Sequence, residues 1–203
     1  MEVWIRENLA LTMDLIRAGG VVMLPLVALS LVMWLLIIER AFFFRRLYRK
    51  NMNARTALAL VCDNQLPDSR KYRGAVSLLV AEFISSRTGD KKLDGHLLDA
   101  AAARINRRLT RFLALIGVLA AMAPLMGLLG TVTGMITTFD VMAIFGTGNA
   151  KAMAGGISES LITTQTGLVV AIPGLYMKGF LDRRSERLSQ HIRRVGLYLK
   201  RHL

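Results

Sequence analysis

The sequence predicts an all-α integral membrane protein with three transmembrane helices, the second and third long and extending into the cytoplasm as a helical bundle. Uncharged runs of 18 residues at 21–38 and 28 residues at 112–139 are long enough to cross a bilayer. A third apolar run, 157–177, has Glu159 as its only charge. Between these runs the chain is strongly basic. Such segregation explains how 203 residues can be 53% hydrophobic and still carry a net charge of +13.

The placement of the basic residues sets the orientation. Of the 27 Lys and Arg, 24 lie in 40–111 and in the tail from Lys178, leaving three for the N-terminus and the last loop. The positive-inside rule then puts the N-terminus outside and the C-terminus on the cytoplasmic side of the membrane. Topology uses up the positive charge, so no nucleic-acid partner is expected.

In chain order, 1–20 reads as a periplasmic amphipathic segment with Trp4 as an interfacial anchor, ended by Gly19-Gly20. The first span is 21–38. Residues 39–111 form a cytoplasmic helical segment, with helix-like stretches at Ala54–Cys62, Ala75–Ser86 and Leu93–Leu113. The last of these meets the second span, 112–139, without a Gly or Pro between them, so one continuous helix is expected. A short periplasmic loop at 140–156 leads to the third span, 157–177, and a basic cytoplasmic tail at 178–203. Arg45, Arg46, Arg49 and Lys50 after the first span, and Arg107, Arg108 and Arg111 before the second, are placed to hold topology and to bind anionic phospholipid.

Two spans carry a stripe of small and hydroxylated residues. At about 100° per residue, Gly156, Ser160, Thr164, Gly167, Ala171 and Gly174 share one face of the third span. Gly117, Ala120, Pro124, Gly127, Thr131, Gly134 and Thr138 share one face of the second, which also contains Gly130-x-x-x-Gly134. Such faces let helix backbones approach closely, or they line a polar path. Helix packing is assigned to Gly127, Gly130, Gly134, Ser160, Gly167 and Gly174. Glu159 either closes a helix N-terminus with Ser158 or faces a pore. Pro173 either kinks the span or gates it.

Other chemistries are poorly supported. Cys62 is the single cysteine, and His96, His191 and His202 lack ligand spacing, so neither metal nor cofactor is expected. Gly156-x-Ser158-x-Ser160 lacks the final glycine of a nucleophile elbow, and no span contains histidine. No enzyme activity is expected.

The runs Gly127-Leu128-Leu129-Gly130-Thr131-Val132-Thr133-Gly134 and Gly156-Ile157-Ser158-Glu159-Ser160-Leu161-Ile162-Thr163-Thr164, through Pro173, resemble the signature of the MotA/TolQ/ExbB proton-channel family, most of all its ExbB branch. The resemblance implies a homo-oligomer, a pentamer, around an ExbD-like single-span subunit whose aspartate takes and releases the proton. It also implies a TonB-like protein that carries the work to the outer membrane. Thr131, Glu159 and Thr164 match the family's pore residues, and with Thr163 and Pro173 they form the expected proton pathway. Ser160, Thr163, Gln165 and Thr166 replace an alanine-rich run of that branch. A TolQ-like subunit of a Tol-Pal envelope motor is the alternative.

Overall fold

The computed structural model describes residues 19–48, 52–68, 72, 74–146 and 149–202. The amphipathic segment with Trp4, together with Arg49 and Lys50, lies outside these residues. Among the described residues six helices follow one another: α1 Met23–Tyr48, α2 Ala54–Cys62, α3 Ala75–Ile84, α4 Lys91–Thr110, α5 Leu113–Phe145 and α6 Ala150–His202. Among the described residues there is no strand. Three of the described stretches are long and apolar enough to cross a membrane: α1, the α4–α5 run and α6. The protein is all-α and membrane-spanning.

The described residues form two compact units, one within 19–37 and 115–178, the other within 38–114 and 179–202. In the first, α1 buries Leu26, Met33 and Ile37, while the facing stretches of α5 and α6 put small residues inside and large apolar ones outside. Ala120, Ala123, Gly127, Gly130, Gly134 and Thr138 are buried along α5 at spacings of three or four. Gly156, Ser160, Thr163, Gly167, Ala171 and Gly174 do the same along α6. Leu125, Val132 and Ile136 of α5 and Leu161, Val169 and Ile172 of α6 are exposed. A water-soluble bundle has the reverse arrangement. Only where the surroundings are as apolar as leucine does this pattern cost nothing.

The second unit is built as a soluble domain is. Phe44, Leu79, Phe83, Leu98, Ile105, Leu109, Leu181 and Ile192 fill its core. Buried Leu188, Val195 and Leu199 continue the same face of α6 to its end, while Lys200 pairs with Asp99 of α4 at 2.5 Å.

Two sequence expectations are corrected. The helix entering the second span is not continuous: α4 ends at Thr110, and Phe112 takes a left-handed φ of 65° before α5 begins. That conformation costs a non-glycine residue about 1–2 kcal/mol. Arg40 of α1, only 4% exposed, offsets the cost. Its Nη1 donates to the Arg108 carbonyl at 3.1 Å, one of the acceptors left open where α4 stops. Its guanidinium also stacks 5.0 Å from the Phe112 ring and 4.9 Å from Phe43. Arg40→Met keeps the stem but removes the bond and both stacks. We expect a loss of about 2 kcal/mol in unfolding free energy, to be read by denaturant titration in detergent.

The second correction concerns the stretch 140–156. It is not a loop throughout, since α5 runs on to Phe145 and α6 already starts at Ala150. Gly146, at φ 68°, ends α5 as a left-handed residue does. The Asn149 side chain accepts from Ala152 N at 3.2 Å and starts α6. Gly155-Gly156 therefore lies inside a helix, and Glu159 is in its third turn. The capping role for Ser158 and Glu159 is excluded by that position.

Candidate functional site

The antiparallel seam between α5 and α6 is held by glycine. A Cβ on Gly167 would lie 2.7 Å from the Ala123 carbonyl oxygen and 3.1 Å from Gly127 Cα. One on Gly134 would lie 2.7 Å from the Gly156 oxygen, and one on Gly156 would lie 2.8 Å from the Gly134 oxygen. Gly130 meets the Thr163 side chain, and Gly174 meets the Met33 sulfur of α1 and Cβ of Ala120. At these separations backbone carbonyls come within reach of hydroxyls on the facing helix. The hydroxyls use them.

Ser160 Oγ lies 3.0 Å from the Gly156 oxygen of its own helix and 3.3 Å from the Thr131 oxygen of α5. Thr164 Oγ1 likewise lies 3.1 Å from the Ser160 oxygen and 3.2 Å from the Gly127 oxygen. Each hydroxyl has one proton for two acceptors and keeps lone pairs for a further donor. Thr163, 1% exposed, is 3.0 Å from both the Glu159 and Ser160 oxygens. Thr131 donates to the Leu128 oxygen at 2.6 Å.

These contacts also set the register. Thr131 stands opposite Ser160, and Thr164 opposite Gly127. The two threonines are therefore offset by about one turn along the seam. Their side is shared. Thr131 follows the seam residue Gly130, and Thr164 follows Thr163; in antiparallel helices, positions displaced in the same sense fall on the same flank.

Glu159 and Pro173 precede seam residues Ser160 and Gly174, so they lie on the opposite flank. Glu159 is about 140° around α6 from Thr164 at roughly 100° per residue. The expected pathway set is thus divided: Thr131 and Thr164 on one flank, Thr163 in the seam, Glu159 and Pro173 on the other. The half-buried Glu159 carboxylate abuts Gly20, whose φ of 64° and close contact both favour glycine there.

The Glu159 flank also carries hydroxyls that the expected pathway does not include. Thr133 and Thr137 precede Gly134 and Thr138, and Thr166 precedes Gly167. They donate to the Gly130, Thr133 and Ile162 oxygens at 3.0, 3.1 and 2.7 Å. The seven-residue spacing Glu159–Thr166–Pro173 was the available signal. Among the described residues no group of His, Cys, Asp or Glu could hold a metal ion.

Residues 65–194 match the profile of the MotA/TolQ/ExbB proton channel family. A biopolymer transport protein of ExbB-like type from Synechocystis is 32% identical over 196 residues, 93% of this chain and 77% of its own. A second such protein from that organism is 35% identical over 165 residues, 78% of this chain and 79% of its own. The biopolymer transport protein ExbB of Helicobacter pylori is 37% identical over 121 residues, 59% of this chain and 83% of its own. The glycine-tight, hydroxyl-bearing seam lies inside the matched stretch, and the family is one of channels and transport subunits, not of enzymes. The chain belongs to the MotA/TolQ/ExbB proton channel family, and it is a membrane-embedded, ExbB-like subunit of a proton-driven energy-transduction system.

Proposed function

We propose that this chain is the inner-membrane stator and channel subunit that, with an ExbD-like single-span partner, uses the proton motive force to energise TonB-dependent transport across the outer membrane. One observation carries this reading: the Thr131–Thr164 flank presents hydroxyls in a span that has no mid-membrane titrating group of its own. A hydroxyl passes a proton but cannot hold the charge, so a carboxylate from a partner helix completes the path. Relatives named ExbB support the TonB partner set over the Tol-Pal one. The chain works as a homo-oligomer, a pentamer, with its N-terminus periplasmic and its C-terminus cytoplasmic. Glu159 and Pro173, on the opposite flank, line a neighbouring contact of the same ring.

The test is Thr164→Val. The valine removes the hydroxyl at nearly constant volume, and the lost bond to the Gly127 oxygen is worth only about 0.6 kcal/mol between membrane helices. Assembly with the partners should therefore survive. Proton flux and TonB-dependent uptake should fall by about 100-fold, as for other removed proton-transfer groups, and Thr164→Ser should restore them. Normal uptake in both Thr131→Val and Thr164→Val would reduce the seam to a packing surface.

A further inference from the structure

From Asn106 to Ile116 the sequence contains neither glycine nor proline. Local propensity there favours one continuous helix, yet α4 stops at Thr110 and α5 starts at Leu113. Only Arg111 and Phe112 stand between them. Arg111 is extended at ψ 136°, and Phe112 is left-handed at φ 65°. Across them the ladder of bonds from each amide to the carbonyl four residues back is interrupted, so the amides of 112–115 lose their helical acceptors. A preference of the sequence is overruled here by a contact from another helix.

That contact is Arg40. Its Nη1 takes the Arg108 carbonyl, the acceptor that Phe112 N would use in a continuous helix. Its guanidinium stacks on the Phe112 ring, against which Arg111 stacks as well at 4.5 Å. The latch is incomplete. Arg40 Nε lies 3.0 Å from the adjacent Glu39 carboxylate without being directed at it, and it is buried with no hydrogen-bond acceptor among the described residues. That unmade bond costs the broken arrangement part of what the stacks contribute. Local preference and tertiary contact thus oppose each other at one residue, which is the condition for two discrete arrangements.

We propose that the α4–α5 junction is a two-state element latched by Arg40. In the broken state Phe112 is left-handed and Arg40 closes the end of α4. In the continuous state Phe112 returns to a φ of about −63°, its amide takes the Arg108 carbonyl, and Arg40 is released. A continuous rod carries a displacement from one end to the other, whereas Arg111 and Phe112 absorb it when the helix is broken. The junction therefore decides whether α5 moves with α4. It is independent of the proton path.

Hydrogen exchange of the full-length protein in detergent micelles, read at residue level by mass spectrometry, provides the test. Arg40→Met should raise the ratio of continuous to broken about 30-fold, the factor equivalent to its expected loss in stability. From a continuous state of about 10%, the amides of 112–115 should then exchange about fourfold more slowly. Phe112→Ala, which removes the ring and favours the helix, should slow the same amides. Arg40→Met/Phe112→Gly should return them to at least the wild-type rate, because glycine adopts the left-handed conformation freely and disfavours the helix. Thermal unfolding confirms that each variant is folded. A contact that only adds stability predicts the opposite sign, since 112–115 would exchange faster with the latch gone. Faster or unchanged exchange in Arg40→Met, or in Phe112→Ala if that variant alone folds, would overturn the two-state junction. Slow exchange that persisted in Arg40→Met/Phe112→Gly would overturn it as well, by placing the effect away from Phe112.

Discussion

Gly167→Leu should force α5 and α6 apart and abolish both assembly and transport. A first side-chain carbon there already meets the Ala123 carbonyl at 2.7 Å and the Gly127 backbone at 3.1 Å. Neither contact is the end of a flexible side chain, so the helices themselves must move. Overpacking costs about 1–3 kcal/mol where side chains can adjust, and backbone-to-backbone contact belongs at or above the upper end. We expect at least about 3 kcal/mol, with the hydroxyl bonds of Ser160 and Thr164 to the facing carbonyls lost together. Gly155→Leu and Gly179→Leu supply the control on the same helix. A Cβ at either position meets nothing within 4 Å, so both should stay within about 0.5 kcal/mol of wild type. Thermal unfolding in detergent and native mass spectrometry of the oligomer read the difference. Equal tolerance of all three would mean that the seam does not decide stability.

Asp94→Ala should cost the 38–114 unit about 3 kcal/mol. This carboxylate is 2% exposed, at the first turn of α4. It accepts from Thr88 N at 2.8 Å, Thr88 Oγ1 at 3.1 Å, Gly89 N at 3.2 Å and Arg87 Nε at 3.3 Å. Arg87 also donates to the Val61 oxygen at 2.6 Å and so ties α2 to the same point. Removing the carboxylate leaves two backbone donors of a tight turn without acceptors, while Arg87, partly exposed, recovers water. Burial alone would raise the Asp94 pKa. The backbone and hydroxyl bonds of Thr88, with Gly89 and Arg87, oppose it and hold the carboxyl below its ordinary value. Because the folded pKa is depressed, its stabilisation is complete above the unfolded value near 3.9 and is lost as pH falls through the folded one. Asp94→Asn should therefore flatten the acid limb of the stability profile below about pH 4 while leaving partial stability at pH 7. An unchanged acid limb would show that the cluster contributes nothing to it.

Much of the fold is legible in the residues. The apolar runs and the sparing use of charge within them mark three membrane crossings, because a buried charge in hydrocarbon is expensive at any register. The small-residue spacing on α5 and α6 identifies the pair of faces that meet, since only glycine, alanine and serine admit backbones so close. The break at Phe112 was not legible. No glycine or proline announces it, and it depends on Arg40, far away in sequence, stacking on the ring and closing the end of α4. The early start of α6 was hidden for the opposite reason. Gly155-Gly156 looks like a breaker, but Asn149 caps the helix ahead of it and Gly156 is needed flat against Gly134.

The candidate site divides in the same way. Composition and period mark the hydroxyls and the one carboxylate of the apolar spans, and the family resemblance picks Thr131, Glu159 and Thr164 among them, with Thr163 and Pro173 beside them. Their grouping could not follow from that. A helical wheel has no zero, and a difference of one position moves a side chain about 100°, from seam to flank. Only the contact between two helices defines where the seam lies. It places Thr163 against Gly130, turns Thr131 and Thr164 to one side and Glu159 to the other, and offsets the two threonines by a turn. The sequence by itself determined which polar groups lie within the spans; the tertiary structure decided which of them share a surface, because facing is a property of two helices and never of one.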